Sequence, residues 1–182
     1  MSLKDDNDIG FENRLRLQKL IYMAQKRFNL PSKYFYTIYK RGPYSPSLTT
    51  DIYDSDLTSI DDIDFVNYEL DEFGVAHVKY EMPSNFNEDK YISLFSDKDN
   101  SWLEVATTII HSFDQWYHRK NEIITYVHSE KPQYSEEYIN HVYSDMVREK
   151  LISTVREEME DIVKTAPDLF EALAKDDINL IK

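Results

Sequence analysis

The chain has no cysteine, only three glycines (Gly10, Gly42 and Gly74) and no apolar run approaching a membrane span. The first absence removes disulfides, thiolate metal sites and thiol nucleophiles, and suits a reducing cytoplasm. The second removes the glycine-dependent nucleotide sites, since P-loops and dinucleotide fingerprints need several glycines close together. Few glycines also argue against an all-β chain built on many tight turns. The third, with a polar start that lacks a signal region, leads to the expectation of a protein outside the membrane.

What is present is mostly helical patterning over 182 residues, enough for one domain with its own core. Residues 1–10 are polar and read as a frayed terminus, followed by one mostly helical domain over 11–182, with a candidate sub-division near 97–101. Leu17, Leu20, Ile21, Ala24 and Phe28 share one arc of a helix from Phe11 to Phe28. Leu30-Pro31 ends it. Tyr34 to Tyr39 reads as a short strand, Gly42-Pro43 as a turn, and Ser45-Pro46 as the capped start of a helix with Leu48, Ile52 and Tyr53 inward. Part of 56–74 reads as helix, and 75–81 and 91–95 as further strands of a small β element. Trp102 to Tyr117 forms a long amphipathic pattern that restarts over 119–129. Pro132 breaks it, and Ser135-Glu136-Glu137 opens another helix carrying Tyr138, Ile139, Val142, Tyr143 and Met146. Leu151 to Thr165 and Pro167 to Ala174 read as the last two. The fold class is therefore mainly α, a multi-helix bundle with a small β element.

Charge is unevenly spread. The net charge is −13, which disfavours nonspecific binding to nucleic acid. Yet residues 14–41 carry eight basic side chains and no acidic one, while 51–72 carry nine acidic and no basic ones. Removing that +8 from −13 leaves −21 for the rest. Either the two segments pair internally, or the basic one faces an external partner. Arg16, Lys19, Lys26 and Arg27 fall on the helix side opposite the apolar arc. With Lys40, Arg41 and Tyr44 they form the expected contact surface.

Catalytic signals are weak, no enzyme activity is expected and no cofactor is implied. His111, Asp114 and His118 share a helix face at spacings that suit a metal, but so would chance surface placement. Glu137 and His141 fit a helix-surface hydrogen bond. Ser45 lies on a turn before a helix but lacks the small-residue flanks of a hydrolase elbow, and reads as a cap. Tyr34, Tyr36, Tyr39 and Tyr44 could stack on bases, or pack in a core.

Two segments carry a resemblance. Leu17-Gln18-Lys19-Leu20-Ile21-Tyr22 and Tyr39-Lys40-Arg41-Gly42-Pro43-Tyr44-Ser45-Pro46-Ser47-Leu48 resemble the YwgA-like proteins of bacteria and archaea. More distantly they resemble the SocA-like Panacea domain of toxin–antitoxin systems. Within this match Leu17, Gln18, Leu20, Gly42, Pro43, Ser45 and Pro46 are the motif positions. A fainter echo runs from Thr125 to Ser135, with His128 and Pro132 in place and Gln133 where an antitoxin domain would have tryptophan. The resemblance implies a helical cytoplasmic fold without known catalysis and, in the antitoxin branch, a toxin as protein partner. The expectation is a protein-interaction module, antitoxin-like or regulatory. Its rivals are a nucleic-acid-binding regulator using 14–41 and a metal-dependent enzyme. Self-association is left open.

Overall fold

The computed structural model describes residues 3, 7–32, 34–54, 84–117 and 119–154. Among them are six helices and one two-stranded antiparallel sheet, so the fold is mainly α with a minor β element. The elements are α1 (Asp8–Arg27), β1 (Thr37–Tyr39), β2 (Gly42–Tyr44), α2 (Pro46–Asp54), α3 (Glu88–Phe95), α4 (Asn100–Gln115), α5 (Lys120–Glu130) and α6 (Glu136–Arg148). The expected segments over 56–74, 75–81, 155–165 and 167–174 lie outside the described residues, and residues 151–154 are not helical. Two compact units divide the chain, 1–111 and 112–182. The division falls within α4, whereas 97–101 is the turn into that helix and its first residues. No helix among the described residues is long and apolar enough to cross a membrane.

In the first unit, α1 begins at Asp8, three residues before the expected start. The Asn7 side chain accepts the Gly10 N–H at 2.9 Å, which caps the helix there. Its other end closes with Asn29 at φ 58, a left-handed position that asparagine tolerates. Leu17 packs with Leu3, Leu48 and Ile52 against Ile21, Tyr34 and Tyr36. Phe28 stacks edge-on with Tyr91 and Phe95, at centroid separations of 5.1 and 5.8 Å. Such pairs contribute about 0.5–1.5 kcal/mol each beyond area burial.

Three expectations need correction here. Tyr91 to Phe95 is not a strand but part of α3. Asn87 caps that helix by accepting the Lys90 N–H at 2.9 Å, acids fill its first turn, and Tyr91 and Phe95 meet one turn apart at 5.0 Å. The local β propensity loses to the cap and the aromatic stack. The sheet partner of Tyr34–Tyr39 is instead β2, in register Thr37 with Tyr44, Ile38 with Pro43 and Tyr39 with Gly42. The turn is therefore Lys40-Arg41, and Gly42-Pro43 lies in a strand. Tyr53 is exposed rather than inward.

Helix α4 is buried on every side from Trp102 to Ile110 rather than on one stripe. Its buried threonines satisfy themselves by donating to the preceding turn, Thr107 Oγ1 to the Leu103 carbonyl and Thr108 Oγ1 to the Glu104 carbonyl, each at 2.7 Å. In the second unit α5 packs on α6 through Ile123, Ile124 and Val127 on one side and Ile139, Val142, Tyr143 and Met146 on the other. Ser135 caps α6 by accepting the Tyr138 N–H at 3.2 Å, as its sequence position suggests.

Candidate functional site

The two motif segments interlock. Gln18 on α1 reaches the junction of β2 and α2, where its amide reads the Ser45 backbone twice. Its Nε2 donates to the Ser45 carbonyl at 2.9 Å, and the Ser45 N–H donates to its Oε1 at 3.0 Å. The same Nε2 donates to Thr49 Oγ1 at 2.9 Å. One position further on, Lys19 Nζ donates to the Pro43 carbonyl at 2.6 Å. A glutamine and a lysine, adjacent in sequence, thus fix a proline and a serine two residues apart. Ser45 is wholly buried and its Oγ lies 3.4 Å from the Leu48 N–H, so it serves α2 as a cap and offers no exposed nucleophile. Pro46 opens α2 at the surface.

Gly42 completes this clasp. Its φ of +84° is left-handed, and a Cβ built on it would stand 3.0 Å from Thr108 Oγ1, 3.5 Å from the Glu104 carbonyl oxygen and 3.5 Å from Lys19 Nζ. Both the backbone and the space require glycine. Glu104 is buried as well, and Arg41 at the hairpin turn stands 3.6 Å from its carboxylate and 3.9 Å from that of Glu12. The guanidinium lies 5.8 Å from the Phe11 ring. The turn is thereby held against the first half of α1, where Asn100 donates to Glu12 Oε2 at 2.7 Å.

The expected basic face does not hold together as one surface. Lys19 is 1% exposed and belongs to the clasp, so it leaves that face. Arg16 is half-buried and donates to the backbone carbonyls of Phe95 and Lys98, closing the end of α3. Lys26 lies 6.0 Å from the Tyr22 ring, and Arg27 donates to the Lys26 carbonyl at 2.9 Å. Tyr44 is half-buried against Tyr39 at 5.3 Å. Lys26 is exposed on α1, and Lys40 and Arg41 are exposed at the hairpin turn.

Beside them lies a feature that charge patterning missed. From Tyr34 to Tyr39 burial alternates, with Tyr34, Tyr36 and Ile38 facing inward and Phe35, Thr37 and Tyr39 outward. Phe35 is 87% exposed and Tyr39 58%. A period-two pattern with aromatics on both faces signals this in the sequence, but does not say which face meets water. Phe11, 46% exposed, adds a third ring beside Arg41.

Of the metal candidates, His111 and Asp114 lie on α4, half-buried and exposed respectively, and His118 is outside the described residues. No group of three or more metal-ligating side chains occurs among the described residues. His141 stands 3.6 Å from Asp145, one turn along α6. His128 Nδ1 lies 3.0 Å from the Tyr134 carbonyl oxygen. Comparison with protein-family models, with curated proteins and with solved structures finds no match to this chain.

Proposed function

We propose that the chain is a protein-interaction module whose docking surface is the β1–β2 hairpin and the segment leading into it, with Phe35 and Tyr39 as anchors. The observation that supports it most is the exposed aromatic face of residues 34–39. Two large outward rings, Phe35 just before β1 and Tyr39 at its end, present apolar area at small conformational cost. The clasp of Gln18, Lys19 and Gly42 holds the hairpin from beneath. The two outward rings suit a partner with apolar pockets, the pattern of a protein surface rather than a phosphate backbone. The net charge of −13 favours the same choice.

The resemblance of residues 14–54 to YwgA-like and SocA-like domains supports the reading and extends it. In that extension the chain belongs to the YwgA-like group, works in the cytoplasm and neutralises or regulates a partner, such as a toxin, by contact. The test is co-expression with the products of adjacent genes, with the chain tagged and the recovered proteins compared between wild type and the variant Phe35→Ser/Tyr39→Ser. A partner retained by wild type and lost by the variant is the expected result. Recovery of the same proteins by both, or of none, removes this surface from consideration.

A further inference from the structure

The β1–β2 hairpin has two outer edges, and only one of them is closed. Pro43 decides which main-chain groups point where. It has no N–H, so Ile38 and Pro43, opposite one another in the register, form the pair that exchanges no hydrogen bonds. The bonds of the hairpin run instead between Thr37 and Tyr44 and between Tyr39 and Gly42. The N–H and C=O of Ile38 therefore point away from β2. By the same alternation those of Tyr36 do so too.

On β2 the outward groups are taken from α1. The Pro43 carbonyl accepts Lys19 Nζ at 2.6 Å, and the Ser45 N–H and carbonyl engage the Gln18 amide at 3.0 and 2.9 Å. On β1 there is no counterpart. Among the described residues none bonds the outward N–H or C=O of Tyr36 or Ile38. An unpaired strand edge of this kind is a template for another strand.

The residues along the edge say which strand fits. Reading outward from Thr37, both directions give the same pattern. One position away stand Tyr36 and Ile38, half-buried, and two positions away stand the exposed rings of Phe35 and Tyr39. We propose that a second copy of the chain adds to the free edge of β1, antiparallel about a two-fold axis at Thr37, in a weak and reversible dimer. Tyr36 then exchanges main-chain hydrogen bonds with Ile38 of the second copy, and Ile38 with its Tyr36. Phe35 lies across from Tyr39 of the second copy, and Thr37 across from its own counterpart. Aromatic pairs and threonine pairs are both favourable across strands. Edge pairing extends the sheet sideways and leaves its outward face open, so it uses main-chain groups and does not depend on the docking partner proposed above. The paired stretch is far shorter than the roughly 20–30 residues a side of a standard interface, which makes the association weak.

Thr37 is exposed and meets its own copy, so any charge placed there meets the same charge. In sedimentation velocity at low ionic strength, full-length wild type is expected to pass from monomer toward dimer between roughly 10 µM and 1 mM. Thr37→Lys and Thr37→Asp are each expected to weaken this several-fold, and an equimolar mixture of the two to recover it. Circular dichroism checks that each variant is folded. Ile38→Pro, which removes an edge N–H without touching a hairpin bond, serves if a charged variant is not. The chain has no cysteine, so Thr37→Cys carries a single thiol. A non-hydrogen-bonded antiparallel pair brings the two Cα atoms to about 4.5 Å, within disulfide reach. Mild oxidation is expected to cross-link Thr37→Cys several-fold faster than Thr50→Cys, an exposed control on α2. A wild type that stays monomeric at the highest concentration overturns the proposal. So does a dimer insensitive to both charges, or a mixture that fails to reassociate. Amides of Tyr36 and Ile38 protected from hydrogen exchange at low micromolar concentration overturn it as well, since the chain itself would then cover the edge.

Discussion

Gln18 and Ser45, 27 residues apart, exchange two hydrogen bonds in the interior of the first unit, amide to carbonyl and N–H to amide oxygen. A side-chain amide carries a donor and an acceptor side by side, so it can satisfy a backbone carbonyl and N–H at once. Replacing it by a hydrocarbon of similar volume leaves the Ser45 N–H buried and unmet, while the Ser45 carbonyl keeps the Thr49 N–H at 3.2 Å. Gln18→Leu is expected to lower stability by about 1–3 kcal/mol, the cost of one orphaned buried donor. Urea unfolding measures this, and a loss below about 1 kcal/mol would mean that the clasp carries little.

Gly42 offers a second test of the same clasp. An alanine there takes on both the left-handed backbone and the 3.0 Å approach to Thr108 Oγ1. Gly42→Ala is expected to cost about 1–3 kcal/mol. Gly42→Ala combined with Thr108→Ala should recover only the steric part, which separates crowding from backbone strain in thermal unfolding.

Stability should also fall at high pH. Burial pushes the phenols of Tyr36 and Tyr91 well above their ordinary value of 10.0. For Tyr36 the neighbouring phenols Tyr34, Tyr22 and Tyr91 add to it, and for Tyr91 the cation of Arg16 opposes it. The folded state therefore keeps both protons while the unfolded chain releases them. Their contribution is complete below pH ~10 and is lost as the pH rises above it, at up to about 1.4 kcal/mol per pH unit for each group. Denaturant midpoints between pH 8 and 11 should decline beyond 10. Tyr36→Phe should flatten that decline, and an unchanged slope in this variant would contradict the assignment.

Helix α3 depends on its cap. Asn87→Ala is expected to destabilise the chain by about 1 kcal/mol, and Asn87→Ser to restore most of it. Circular dichroism during thermal melting distinguishes the two, since identical melting for all three proteins would leave the cap without a role.

This helix also marks where the sequence was hard to read. Tyr91 to Phe95 has the composition of a strand, and what makes it a helix is the Asn87 cap together with Phe28, 63 positions earlier in the chain. Lys19 fails for a similar reason. Helical spacing puts it opposite Leu17 and Leu20, but the hairpin covers that side of α1, and a covalent pattern cannot show which loop folds back. The periodicity of α6 and the cap at Ser135 were legible because they depend on neighbours within a turn or two, whereas in α1 Leu20 and Ile21 of the expected arc are only half-buried and Leu15, Tyr22 and Met23 are buried instead. The motif segments were legible as a pair, yet their joining through Gln18 and Ser45 required tertiary structure. The exposed side of Phe35 and Tyr39 required it as well, because aromatics occupy both faces of that strand.

The central claim is that the motif residues hold the hairpin while the outward rings bind. The most direct measurement is partner retention set against melting temperature for two variants, Gln18→Leu and Phe35→Ser/Tyr39→Ser. The account predicts that the first melts lower, while the second melts within a few degrees of wild type and no longer retains the partner. A second variant that keeps both its melting temperature and its partner would contradict it.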